Sequence, residues 1–249
     1  MLELYHWEPN GACARVMIAL KEKGLEFQSR YVDVFAFEQH RPEFLKLSET
    51  GETPVLVRDG EAYTESSYIC EYLDEAFPQA PLMPKDPTGR WAARVWQKYV
   101  DDYLAASVSD LAWNAYGAKA GELTAAAGKV PVEERRQVWT RLAEGLGRDQ
   151  IDKAKERVRQ AVETMEQDLS AHAWLAGPEF SLADIAVYAY AAYLPKLAPE
   201  QVNPQASPRT MDWLKRMGER PAVKAALAMG KSADPFAKAA PGPEHVRWG

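Results

Sequence analysis

The chain has 249 residues with 30 Lys and Arg against 36 Asp and Glu, a net charge of −6, which excludes the basic footprint of a nucleic-acid or anionic-membrane binder. A 47% hydrophobic and 10% aromatic content is that of a globular protein with one large or two modest cores, and excludes a disordered chain. No apolar run approaches a membrane span and no basic lead opens an export signal, so Cys13 and Cys70 read as reduced thiols of a cytoplasmic protein.

In chain order, Leu2 to His6 reads as a strand broken by Glu8-Pro9-Asn10-Gly11. A helix follows from Ala12, with Val16, Ile18, Ala19 and Leu20 as its buried side and Gly24 as its stop. Phe27 to Val32 is a second strand, and Phe35 to Leu47, with Pro42 inside, holds at most a short irregular helix. Pro54 opens the strand Val55 to Val57 and Asp59-Gly60 turns it into Glu61 to Thr64. Ser66 is placed to cap a helix whose apolar positions are Ile69, Tyr72, Leu73 and Phe77. Strand-helix-strand followed by strand-strand-helix is the order of a small α/β domain with a mixed sheet.

Four prolines between Pro78 and Pro87 make a stiff, extended linker and the clearest domain boundary. The division is therefore 1–79, a linker at 80–87, and a helical domain at 88–249. Thr88 to Tyr116 carries Trp96, Tyr99, Val100 and Tyr103 at helical spacing, and 117–131 is a looser connection. Glu133 to Leu169 is a long charged helix with a break expected near Gly145-Leu146-Gly147. Ser181 and Asp184 form a capping-box variant before Leu182 to Tyr193, apolar nearly all round and hence the central buried helix. Shorter helices are expected around Thr210 to Met217 and after Arg220-Pro221. The tail from Asp234, with Pro235, Pro241 and Pro243, is expected to be extended or mobile.

One stretch carries chemistry. With a cis Thr53-Pro54 bond, Thr53 would turn its backbone N–H and C=O outward to pair with an extended peptide. The helix start at Ser66 offers free N–H groups to a carboxylate, and Glu65 beside it could hold an ammonium. A small peptide with an α-amino-acid end satisfies both, although taken alone these residues read first as an ordinary hairpin and a capped helix.

Four motifs resemble one family: Gly51-Glu52-Thr53-Pro54-Val55-Leu56, Thr64 to Leu73 around Glu65-Ser66, Ser181-Leu182-Ala183-Asp184-Ile185 and Arg220-Pro221-Ala222-Val223. In that order and spacing they resemble a cytosolic glutathione transferase over almost the whole chain. The resemblance implies an α/β thioredoxin-like domain followed by an all-helical domain, with glutathione as co-substrate and a homodimer as the assembly. Lys21 to Phe27, Phe37-Glu38-Gln39-His40, Ile69 to Leu73 and Arg94 to Tyr103 resemble more closely the bacterial glutathione-dependent β-aryl etherases, which cleave the β-O-4 ether of lignin-derived aromatics.

The family resemblance implies that Thr53, before Pro54, pairs with the cysteinyl part of glutathione, and that Glu65 and Ser66 hold the γ-glutamyl end. Gln39 and His40 are expected at the glycyl carboxylate, with a solvated loop histidine as the alternative for His40. The activating position falls on Cys13, with Asn10 close by. A thiol in the first helical turn, with Arg15 nearby, is expected to have a lowered pKa, unless it is a small buried hydrophobe. The etherase-like branch has serine there with an asparagine near it, so Cys13 leaves two chemistries open. One is thiol exchange through Cys13 itself; the other is attack by glutathione on an electrophilic carbon of an aromatic substrate. A non-catalytic glutathione-binding module is a third reading. Trp7, Tyr103, Ser107, Trp113 and Tyr116 are expected to line the acceptor pocket between the domains, though rings at this spacing also suit a core. Cys70 is read as core.

Overall fold

The computed structural model of the chain describes residues 1–116, 128, 130, 133–233 and 238. Most of the expected 117–131 connection and of the tail from Asp234 lies outside them.

β1 (Leu2–His6) alternates buried Leu2, Leu4 and His6 with half-buried Glu3 and Tyr5, the period-two pattern of a strand covered on one face. α1 (Gly11–Glu22) crosses over to β2 (Gln28–Tyr31), which pairs parallel with β1 through Leu4↔Ser29 and His6↔Tyr31. β3 (Val55–Arg58) is antiparallel to β1 and β4 (Glu61–Tyr63) to β3, so the mixed sheet runs β2-β1-β3-β4. Asp59 and Gly60 both take positive φ, 54° and 92°, as a two-residue type I′ turn requires.

Leu4 and Leu56 pack into a core with α1 and with Ile69 and Leu73 of α3 (Ser66–Ala76). The other sheet face carries Val55 and Val57, covered by Val32 and by Phe44 of α2 (Pro42–Leu45). All ten residues from Gly11 to Leu20 are buried, more than the one side expected. The reason is that α1 lies between the sheet, α3 and two helices of the C-terminal half.

That half begins at α4 (Pro87–Tyr99), whose N-cap Asp86 accepts from the Gly89 N–H at 2.8 Å. A π turn at Val100–Leu104 joins it to α5 (Ala105–Tyr116). α6 (Glu133–Glu144) and α7 (Arg148–Ala171) part at Gly145, φ +91°, where the break was expected. α8 (Leu182–Ala191) is buried along its whole length and packs on α1 and α4. Its Ser181–Asp184 capping box is present, and Asp184 also accepts from the Trp213 indole at 2.9 Å. α9 (Leu194–Leu197), α10 (Pro208–Glu219) and α11 (Pro221–Leu227) complete the chain described, with α11 folded back onto α1. Arg220 fixes that return through two bonds to Glu22, at 2.6 and 2.8 Å. Among the described residues, no helix is long and apolar enough to cross a membrane.

Candidate active site

The site forms where β1 ends. Trp7 is buried edge-on to Phe35, with ring centroids 5.1 Å apart, and Asn10 caps α1 without a side-chain bond to the helix. Cys13 lies in the first turn beyond it, and its Sγ donates to Thr53 Oγ1 at 3.5 Å. The Thr53-Pro54 peptide is cis. Two motifs far apart in the chain thus meet at one sulfur.

The expected lowering of the Cys13 pKa is corrected here. The thiol is buried, and loss of hydration pushes its pKa up to about 11; its hydrogen bonding with Thr53 and the Trp7 backbone pulls the other way and is outweighed. Arg15 gives the thiol no relief, because its guanidinium points elsewhere. Its Nη1 donates to Ser67 Oγ at 2.6 Å, to Asp101 Oδ1 at 2.9 Å and to Ser66 Oγ at 3.4 Å. Ser67 Oγ in turn donates to Asp101 Oδ2. Asp101 comes from the π turn, so the junction of α4 and α5 braces the start of α3.

At that start the N-cap is Glu65, not Ser66 as expected: Ser66 is already the first helical residue. Glu65 has φ +65° and ψ 100°, a conformation a residue with a Cβ adopts only at a cost of order 1–3 kcal/mol. Its side chain makes no capping bond, and the residue is half-buried at the helix start. A glutamate carboxylate and the N-terminus of an eleven-residue helix thus stand side by side.

Gln39 and His40 occupy a 3₁₀ turn, Glu38–His40, and both are buried. The solvated-loop alternative for His40 is therefore set aside. Its ring stacks on Phe37 at 6.3 Å, while Gln39 Nε2 donates to the Val34 carbonyl at 3.2 Å. Gly51 presses against this turn with φ +71°: a Cβ there would stand 3.1 Å from the Gln39 carbonyl and 3.4 Å from His40 Nδ1. That close approach is the reason for the glycine two residues before Thr53.

Of the expected pocket residues, Trp7 and Trp113 belong to one run of rings. Trp7 meets Phe35, Phe35 meets Trp139 of α6 at 6.1 Å, and Trp139 meets Trp113 of α5 at 6.1 Å and Phe37 at 5.3 Å. Tyr103 lies elsewhere, tilted on Tyr99 at 5.6 Å and under the Arg157 guanidinium of α7 at 5.6 Å. Ser107 is fully buried and donates to the Tyr103 carbonyl at 2.8 Å. The Tyr116 side chain is outside the described residues.

Residues 4–81 match the N-terminal domain of glutathione S-transferases and residues 106–221 match their C-terminal domain. The chain belongs to the glutathione S-transferase family. Protein LigF of Sphingobium sp. strain SYK-6 is 36% identical over 246 residues, 94% of this chain and 95% of LigF. The crystal structure of β-etherase LigF superposes with a TM-score of 0.84 at 35% identity, over 92% of this chain and 99% of that one. A glutathione transferase of Burkholderia graminis, crystallised with two glutathione molecules per subunit, superposes at 0.70 with 25% identity, over 91% of this chain and 87% of that one. This transferase thus has a thioredoxin-like domain with a small mixed sheet, a helical domain behind it, and glutathione as its co-substrate.

Several residues of the transferase escaped the sequence reading. Ser67 and Asp101 complete the brace under α3, for which the paired serines were the available signal. Glu8 is fully buried and accepts from the Tyr31 hydroxyl at 2.6 Å and from the Lys231 and Ser232 N–H groups at 3.0 and 2.9 Å. It ties the chain after α11 to the loop bearing Trp7 and Asn10. Phe35 and Trp139 carried no motif at all, and Phe37 was read only as part of the Phe37–His40 motif.

Proposed function

We propose that this glutathione S-transferase cleaves β-aryl ethers of lignin-derived aromatics. The glutathione thiolate attacks the carbon bearing the aryloxy group; a C–S bond forms, the C–O bond breaks, and the phenol leaves as phenolate with the bonding pair. The observation that carries the reading is the similarity to β-etherase LigF over 94% of this chain; the burial of Cys13 bears on which sulfur attacks. A buried thiol whose pKa is about 11 is protonated at neutral pH, so it suits a hydrogen-bond donor and not an attacking thiolate. The nucleophile is then the sulfur of glutathione, as transfer to carbon requires, and the same burial works against thiol exchange through Cys13. The similarity to β-etherase LigF points to the ether as the acceptor.

In this proposal Thr53, held by Pro54, pairs with the cysteinyl backbone, Glu65 and Ser66 take the γ-glutamyl ammonium and carboxylate, and Gln39 and His40 face the glycyl end. Cys13 and Asn10 donate to the glutathione sulfur and lower its pKa toward working pH. Trp7 and Trp113 wall the acceptor side; positions 1–79 serve as the glutathione domain, 80–87 as linker and 88–249 as the acceptor domain. A cytoplasmic homodimer is the expected working form.

The reading is tested by following phenol release from a guaiacyl β-aryl ether with and without glutathione. Release that needs glutathione and leaves a glutathione thioether is the expected result. Absence of glutathione-dependent release discards the ether and leaves a transferase acting on another electrophile.

A further inference from the structure

We propose that Trp139 sets the size of the aromatic group that the acceptor site admits. The proposal rests on reading the run of rings beside Cys13 as the acceptor wall. Trp139 is fully buried, although it comes from α6, a helix with the strongly charged sequence EERRQVWTRLAE. Among the described side chains of α6, only Arg135 and Trp139 are buried, one turn apart on the same face.

Each has a definite task. Arg135 Nη2 donates to the Thr50 carbonyl at 2.6 Å and stands 3.5 Å from Glu52 Oε1, which fastens α6 to the loop leading into Thr53. Trp139 then projects between the two halves of the molecule. It meets Phe35 and Phe37 from the first domain and Trp113 from the second, all at steep angles of 67° to 84°. Phe35 passes the contact on to Trp7, whose backbone touches the Cys13 thiol. The indole is the wedge on which both sets of rings close.

Edge-to-face packing is open to any planar ring, so a planar acceptor ring can take the place of one member of the cluster. Truncating a side chain of this size leaves an apolar void that its neighbours fill only in part, and such voids stay dry and take up aromatic guests. Because Arg135 fastens α6 independently of the indole, the helix keeps its place over the void when Trp139 is shortened. The space gained is then available to the acceptor.

The test uses glutathione conjugates, which report the wall without needing turnover. Wild-type protein, Trp139→Ala and Trp139→Phe are titrated by calorimetry with S-methylglutathione, S-benzylglutathione and S-(1-naphthylmethyl)glutathione. We expect S-methylglutathione to bind all three within about two-fold, and the naphthylmethyl-to-methyl affinity ratio to rise at least about ten-fold in Trp139→Ala, with Trp139→Phe between. An unchanged or lower ratio in a Trp139→Ala protein that still binds S-methylglutathione overturns the proposal. If Trp139→Ala does not fold, Trp139→Phe decides: a ratio raised about three-fold supports the proposal and an equal ratio overturns it. Failure of the wild-type protein to bind S-methylglutathione removes the glutathione seat itself, and the proposal falls with it by a separately recognisable result.

Discussion

In the proposed site, the glutathione seat at the start of α3 and the ring cluster beside Cys13 are held by different forces. The seat is a directional polar lattice: Arg15, 1% exposed, bonds Ser66, Ser67 and Asp101, and Glu65 takes a backbone shape that few residues tolerate. The cluster of Trp7, Phe35, Phe37, Trp113 and Trp139 is held by apolar burial and edge-to-face ring contacts. The contrast matches two tasks. A fixed co-substrate is recognised by polar groups whose misplacement is costly, whereas a variable acceptor is admitted by shape and area.

The largest effect that would break this contrast comes from Arg15→Met. Removing the guanidinium leaves the Asp101 carboxylate and two serine hydroxyls without their shared donor, a loss of about 3–5 kcal/mol for a buried pair. Urea unfolding should show a lower midpoint at unchanged slope, and glutathione binding should weaken with it. A midpoint within error of the wild type would mean that the brace under α3 is ornamental.

Phe35→Leu sharpens the contrast from the other side. It removes ring edges from both Trp7 and Trp139 and should cost about 1–2 kcal/mol of stability. Acceptor KM should change several-fold while glutathione affinity stays within about two-fold. Equal losses in both would show that seat and wall are one structure.

The smallest effect is expected at Cys13, where the two regions meet. Because the folded thiol has a pKa of about 11, above that of a free cysteine, its contribution to stability is complete at neutral pH and is lost as pH rises through about 11. Alkylation of Cys13 by iodoacetamide in the ligand-free protein should be slow at pH 7 and accelerate only above the free-thiol range. Cys13→Ser should abolish that alkaline loss and any disulfide reduction while sparing ether cleavage within about ten-fold. Rapid alkylation at pH 7 would restore the thiol-exchange reading.

Features read from the sequence were those whose cause is local. Asp59-Gly60, the Ser181–Asp184 box and the break at Gly145 follow from backbone preference and short-range bonding, and the structure holds all three. The position of Glu65 and Ser66 at a helix start was also legible, although their order at the cap was not, because nothing in the sequence announces a left-handed glutamate. The sign of the Cys13 shift was misread for a different reason. A helix N-terminus and a nearby Arg15 can be seen in the sequence, whereas burial and the direction of Arg15 are set by α3 and by Asp101, 86 positions further on. Glu8 with Lys231 and Trp139 with Phe35 are likewise products of tertiary packing, and Trp139 is surrounded in sequence by residues that describe an exposed helix.

The central claim is that glutathione docks with its sulfur facing a protonated Cys13 and its γ-glutamyl end at the start of α3. A crystal structure of the protein with glutathione at neutral pH tests this most directly. The account predicts the ligand sulfur about 3.5 Å from Cys13 Sγ and unbonded to it, with the γ-glutamyl carboxylate on the Ser66 amide. A mixed disulfide at Cys13, or glutathione found away from Glu65 and Ser66, would contradict it.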